Sequence, residues 1–228
     1  RWKFHLGQEH SLAGGWGLNY GVRYSLTNDH SWQTFLPTGS NTAASPTNSY
    51  SRQNEDIVNV YAGTNGKIGE KLDFEVSLAA EYYHSPAWHQ WNVYSTLSLT
   101  YMPNNGHMLL LNVSSDKKFP DYWTLQNFTS FSNGGYNEVV GNPSLKPSSN
   151  YQTQLVYVLH NKYQFVAWFN YTDDYFTQTP YQRHDRLTVQ YKFLNFDYSQ
   201  QWGLQASVPQ RFGNWLDNLN DWNLSRSR

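Results

Sequence analysis

The sequence predicts an all-β chain folded as an antiparallel up-and-down transmembrane β-barrel. Three observations predict it: long runs of apolar–polar alternation, connections that alternate between short and long, and 18% aromatic residues against only 14% charged. The clearest run is Leu72–Tyr82, where Leu72, Phe74, Val76, Leu78, Ala80 and Tyr82 alternate with a set that includes Asp73, Glu75, Ser77 and Glu81. Successive strand side chains point to opposite sheet faces, so this segment carries one apolar and one charged face. Trp16, Leu18, Tyr20, Val22, Tyr24 and Leu26 enclose Gly17, Asn19, Gly21, Arg23 and Ser25 in the same way. Trp91, Val93, Ser95, Leu97, Leu99 and Tyr101 enclose Asn92, Tyr94, Thr96, Ser98 and Thr100. These runs match the roughly 9–11 residues of a tilted membrane strand, whereas a globular strand is nearer ~5–6.

Composition narrows the alternatives. Mean hydropathy is −0.73, and no stretch approaches the ~18–20 apolar residues of a membrane helix. A β-barrel tolerates that average because half of each strand faces a polar interior. The 18 Tyr and 10 Trp suit interfacial girdles, although a carbohydrate-binding protein is also rich in aromatics. Net charge is −1 with both signs scattered, so there is no basic stripe for nucleic acid. The lack of cysteine excludes disulfides and thiolate metal sites and suits passage through an oxidising periplasm. Arg1-Trp2-Lys3-Phe4-His5 already reads as strand rather than export signal. An outer-membrane protein needs such a signal, so the chain is expected to be a piece of a longer precursor.

The elements follow from the connections. Ser11–Gly15, Gly66–Lys71, Met102–His107, His160–Lys162 and Pro209–Trp215 are short and rich in Gly, Asn, Pro or Lys, as reversing turns require. Residues 28–56, 83–90, 116–150 and 173–186 are the long connections. Outer-membrane barrels have short periplasmic turns and longer extracellular loops, which puts the short set in the periplasm. Between the first pair of long and short connections, Val58, Val60, Ala62 and Thr64 alternate with Asn59, Tyr61, Gly63 and Asn65, both faces being mixed. Tyr163, Phe165, Ala167, Phe169 and Tyr171 form an outward set; Val166 and Trp168 opposite them are apolar, so that inner face is expected to pack against something. Leu187–Val208 is read as one strand, because two would break the short–long order. Its outward residues change from odd (Leu187, Val189, Tyr191, Phe193) to even (Trp202, Leu204, Ala206, Val208). The reading therefore expects a β-bulge between Leu194 and Gln201. About ten strands result.

The stretch Leu109–Trp215 carries more specific wording. Ser114-Ser115-Asp116-Lys117-Lys118-Phe119-Pro120, Gly141-Asn142-Pro143-Ser144-Leu145-Lys146-Pro147 and Phe169-Asn170-Tyr171-Thr172-Asp173-Asp174 are followed by Tyr198-Ser199-Gln200-Gln201-Trp202-Gly203-Leu204, Pro209 and Trp215. This half of the chain resembles the outer-membrane β-barrels of TonB-dependent receptors of Bacteroidota type. Arg1–Tyr101 agrees in rhythm more than in wording. The resemblance implies a barrel of about 22 strands with a plug in its lumen, import of scarce nutrients, and energy passed through TonB, a partner reached by way of the plug. Residues 1–228 are then one internal segment of the barrel wall, with the plug and the barrel's C-terminal strand outside it.

Each candidate site also has a structural reading. The Gly141–Pro147 run reads as a stiff bend, since its prolines fix φ and Gly141 permits a tight turn. Trp88, His89 and Trp91 in one long loop, and Tyr122, Trp123 and Tyr136 in another, are the ligand-binding candidates. Exposed rings beside amides and carboxylates stack on sugars, peptides or a cofactor, but they also serve as girdle or loop packing. Arg23, Asp73, Glu75 and Glu81 are expected to line the lumen. Acid–base chemistry by these carboxylates is disfavoured by their strict register opposite an apolar stripe. His84 with His89, or His184 with Asp185, lacks any metal-binding spacing, so no metal or cofactor is assigned. No phosphate loop, nucleophile elbow or dinucleotide fingerprint is present, and no catalytic residue is assigned.

Three functions follow. The first is a non-enzymatic outer-membrane receptor that captures a small molecule, glycan or peptide at its extracellular loops and imports it through a plugged barrel surrounded by lipid. The second is a soluble all-β glycan-binding module whose apolar stripes form a sandwich core. The third is an assembly or adhesion barrel in the outer membrane without transport.

Overall fold

The computed structural model describes residues 1–35, 47–126, 129–133, 136–182, 184–185 and 187–208. Thirteen strands and one 3-10 turn occupy them. The wall is a nine-stranded antiparallel sheet of β1 (Trp2–Leu12), β2 (Trp16–Phe35), β3 (Thr47–Ile68), β4 (Leu72–His84), β5 (His89–Tyr101), β6 (His107–Lys118), β9 (Ser148–Leu159), β10 (Tyr163–Asp173) and β13 (Tyr198–Ser207), in that spatial order. A second sheet holds β7 (Thr129–Ser132), β8 (Asn137–Val140), β11 (Phe176–Gln182) and β12 (Val189–Asn195) in the order β11-β12-β8-β7, with β12 and β8 parallel. The predicted all-β, up-and-down wall is present. Nine staves stand where about ten were expected. The expected turn at Pro209–Trp215, and anything beyond it, lies outside the described residues.

Register converts the alternation into faces. One row runs Leu6–Val22–Val60–Ala80–Val93. A second runs Phe74–Leu99–Leu111–Leu155–Ala167–Leu204. On the other face lie Asn19–Gly63–Ser77–Thr96–Ser114–Gln152–Asn170–Gln201. Cross-strand neighbours share a face, so the wall is apolar on one side and polar on the other across its full width. The apolar side is bare: Leu6 is 76%, Val93 72% and Leu204 68% exposed, and among the described residues the buried hydrophobic ones are Tyr83, Leu145 and Val156. A two-sheet sandwich would have covered these rows. The soluble-module alternative fails here, because an apolar face this broad needs lipid rather than water.

Aromatic rings mark both ends of the apolar face. At the long-loop end Phe4 lies 6.5 Å from Tyr24, Tyr82 5.2 Å from Trp91, and Tyr171 5.9 Å from Tyr198. At the short-turn end Trp16 meets Phe74 edge-on at 4.8 Å and Tyr157 stacks near Phe165. From Trp91 to Tyr101 is ten steps along β5, about 33 Å at ~3.3 Å per residue, or about 25 Å across the membrane after the usual tilt. That is the height of an outer-membrane apolar band.

Two expectations are corrected. The long connection 28–56 is mostly strand: β2 and β3 stay paired from Thr27–Glu55 out to Phe35–Thr47, a ribbon that extends past the last β1 partner at Leu26. The bulge expected between Leu194 and Gln201 is not there. The chain does not reverse and no residue is inserted, but the stretch read as one strand is two, β12 and β13, in different sheets, the path descending from the first into the second. Asp173 faces Tyr198 below the break and Phe176 faces Asn195 above it, two residues being passed on each strand. Asp174 N–H donates to Asp197 O and Phe196 N–H to Tyr175 O across the break. Asp174 takes a φ of 49°, and the hairpin leaves the wall there to become the second sheet.

Candidate functional site

The long-loop end is organised by aromatic packing and by one polar staple. Tyr83, on the polar face of β4, stacks on Phe119 at 3.7 Å, and Trp88 lies 5.6 Å from Phe119 and 6.5 Å from Tyr83. Tyr83 Oη donates to Glu55 Oε1 at 2.6 Å, and Gln53 Nε2 bonds the same carboxylate oxygen. Ser85 Oγ accepts from the Ala87 and Trp88 amides, closing the β4–β5 turn. Trp88 is thereby fixed by its neighbours rather than left as a free platform.

The other candidates separate. His89 and Trp91 alternate with Val93 on the apolar side of β5. The His89 ring sits 4.4 Å from His84, whose Nδ1 is 3.8 Å from Asp56 Oδ2, and Trp91 belongs to the outer aromatic band with Tyr82. Tyr122 and Trp123 form the 3-10 turn, and Trp123 meets Phe193 of β12 edge-on at 5.5 Å. Tyr136 is exposed and its carbonyl accepts from the Val189 amide at 2.9 Å. Trp88, the His89–Trp91 pair, and the Tyr122/Trp123/Tyr136 group thus occupy three places. Among the described residues no group of three or more His, Asp or Glu is arranged to hold a metal ion.

The Gly141–Pro147 run is the staple. Asn142 N–H donates to Thr124 O, and its Nδ2 donates to Phe193 O at 2.9 Å. Its Oδ1 accepts from Ser144 N–H and Oγ–H. Lys146 N–H donates to Asn195 Oδ1, while Asn195 Nδ2 donates to Lys146 O and Asp174 O. A Cβ on Gly141 would run into the Gln126 carbonyl, so the glycine is required by close approach. Sequence reading gave this run a structural role through its prolines; its asparagine, and Asn195 beyond it, carry the hydrogen bonds.

The four polar candidates share the polar face. Arg23 lies in one row with Asn59, Glu81 and Asn92. Glu81 accepts from Tyr94 Oη at 2.8 Å and from Asn59 Nδ2 at 3.4 Å. Asp73 lies 3.3 Å from Lys67 Nζ near the short-turn end, and Glu75 is two residues along, opposite Asn65 and Ser98. Val166 and Trp168 also lie here; Trp168 lies over Gly203, filling the space a side chain would take. Tyr61 was not singled out from sequence. The signal available was two glycines, Gly7 and Gly21, that become cross-strand partners beside it.

Comparison with known proteins decides the family. The outer membrane protein beta-barrel family matches residues 2–228. The chain belongs to that family. It is therefore an outer-membrane β-barrel chain, and its bare apolar face is the lipid face. No match was found among curated proteins. Solved structures with the same fold include the ferric enterobactin receptor PfeA of Pseudomonas aeruginosa, at 14% identity and TM-score 0.62 over 90% of this chain and 32% of that one. The siderophore receptor PirA of Acinetobacter baumannii gives 14% identity and TM-score 0.61 over 92% and 34%. The copper transporter OprC gives 13% and 0.57 over 91% and 35%. At such identities the likeness is one of fold, and this family member spans about a third of the length of each receptor.

Proposed function

We propose that this wall is part of a TonB-dependent transporter of Bacteroidota type, and that it does no covalent chemistry. Extracellular loops capture a scarce small molecule, glycan or peptide, a plug closes the lumen, and TonB supplies the energy that rearranges the plug. The observation that carries the reading is the nine-stranded wall with one lipid face and one polar face. It is supported by fold likeness to receptors described as handling enterobactin, a siderophore or copper. Trp88, Tyr122, Trp123 and Tyr136 stand at the loop end where a ligand arrives. His89 and Trp91, on the apolar side, are better placed to anchor the wall at the interface. Arg23, Asp73, Glu75 and Glu81 line the path that opens. The adhesion and assembly readings have no observation in their favour that transport lacks.

The test is growth of a strain lacking the gene on single limiting nutrients: ferric siderophores, haem, chelated copper and oligosaccharides. The proposal expects a defect on one class, reproduced by deleting TonB. No defect on any class, or a defect that TonB deletion does not reproduce, overturns it.

A further inference from the structure

We infer that the polar face of β1 and β2 carries an oxyanion-binding site, built on Arg23 and Lys3 with Tyr61 as its platform, for a soluble solute bearing a carboxylate or phosphate group. The inference rests on the transporter reading only in taking this face for the lumen.

Gly7 and Gly21 face each other across β1 and β2, and Gly21 faces Tyr61 across β2 and β3. A Cβ at Gly7 would come within 2.6 Å of Tyr61 Oη, and one at Gly21 within 2.7 Å of it. The two glycines therefore form a trough along which the Tyr61 side chain lies flat. Its Oη hydrogen-bonds His5 Nε2 at 2.8 Å, and the Arg23 guanidinium sits over its ring, 4.7 Å from the centroid. His5 and Arg23 are direct cross-strand partners, and Lys3 opposite Ser25 is the next residue on the same face. A guanidinium drawn to an aromatic face by cation–π attraction still has its N–H donors available for an oxyanion.

The acidic groups nearby are committed elsewhere. Glu81 takes Tyr94 Oη and Asn59 Nδ2, and Glu55 takes Tyr83 Oη. The ion pairs Lys67–Asp73, His84–Asp56 and Lys146–Asp174 do not involve Arg23, Lys3 or Arg1. Tyrosines thus hold the carboxylates, and among the described residues Arg23 and Lys3 stand without an ion-pair partner, Glu81 being the one carboxylate in the lining against them. Lys3, His5, Arg23 and Glu81, with Phe4 and Tyr24 at the outer edge of β1, line an open concavity of about 460 Å³, within the range of small-molecule sites. Asn59 Oδ1 is buried there without a hydrogen-bond partner, an acceptor suited to a ligand hydroxyl or N–H. The site sits at the height of the Phe4–Tyr24 band, on the opposite face, so a solute meets it at the outer mouth of the lumen.

The test uses the full-length protein in detergent and isothermal titration with citrate and with inorganic phosphate at low salt, with glucose as the neutral control. Binding of at least one anion and none of glucose is expected, with Arg23→Gln about 10- to 100-fold weaker, the usual loss for a charge-assisted pair. Tyr61→Leu should weaken binding by removing the platform. Lys67→Gln, at the far end of the same face, should leave it unchanged, and heat-modified gel mobility checks that each variant is folded. No anion binding by the unaltered protein, or equal binding by folded Arg23→Gln, overturns the site. Anion binding needs no TonB, so a site that binds in a protein without TonB-dependent uptake overturns only the transport reading, and uptake without anion binding overturns only the site.

Discussion

A single arginine placed on successive residues of β5 tests the facing of the wall. Leu97 pairs with Val76 on one side and Val113 on the other, all on the apolar face, while Ser98 pairs with Glu75 and Asn112 on the polar face. Leu97 is six steps from Trp91 and four from Tyr101. With about 2.5 Å of membrane depth per tilted residue, it lies within ~3 Å of the bilayer midplane. Arginine at that depth on a lipid face costs about 2–4 kcal/mol, against about 0–1 kcal/mol near the interface. Leu97→Arg is therefore expected to destabilise the folded protein by about 3 kcal/mol. Ser98→Arg, beside Glu75, should cost under about 1 kcal/mol. Trp91→Arg, at the outer band, should cost about 0–1 kcal/mol for the charge, well below Leu97→Arg. The measurement is reversible unfolding of the full-length protein in phospholipid vesicles by denaturant, followed by tryptophan fluorescence. Equal costs for Leu97→Arg and Ser98→Arg, or a larger cost at Ser98, would refute the assignment of lipid to the odd residues of β5.

Other consequences are equally direct. Asn142→Ala removes the bond to Phe193 O and both bonds from Ser144; hydrogen exchange in β12 should rise by about 1–3 kcal/mol of lost local protection while that of β4 stays unchanged. Gly141→Ala forces the new methyl against the Gln126 carbonyl, and limited proteolysis should cut the 116–147 connection faster, with a local cost of about 1–3 kcal/mol. Trp123→Ala should lower uptake of the limiting nutrient by about 10-fold, as expected of an aromatic anchor, whereas Trp91→Ala should leave uptake within about 2-fold.

The sequence made the wall legible because a membrane strand states its own faces. Alternation over ten or more residues leaves no freedom in register, since a slip of one residue would turn Phe74, Val76 and Leu78 into the polar lumen and Glu75 into lipid. The short turns were readable for a related reason: His160 and Asn161, with φ of 54° and 53°, occupy a backbone that few residue types tolerate. The candidate site was less legible. Trp88, Trp91 and Trp123 look alike in the sequence, yet one packs on Phe119, one stands in the lipid-side band and one meets Phe193. Trp88 and Trp123 find partners 30 or more residues away in the chain, and local spacing holds no record of such contacts.

The misread bulge shows where such inference stops. Apolar residues in 187–208 do change parity, and in a strand facing lipid throughout, that change demands an inserted residue. The demand lapses if the upper half faces something else. Above the paired break at Asp174–Tyr175 and Phe196–Asp197 the hairpin has joined β8, and Phe193 packs against Trp123 rather than lipid. Parity therefore switched because the apolar partner changed, from bilayer below to loop above, while the ladder kept its register. The staple supports this: Asn195, at the top of β12, bonds both Lys146 and Asp174, tying the Gly141–Pro147 run to the point where the hairpin leaves the wall. A run that looked like a stiff connector and a strand that looked like a bulge are two ends of one junction. That junction sets where the membrane-spanning sheet ends and the extracellular sheet begins.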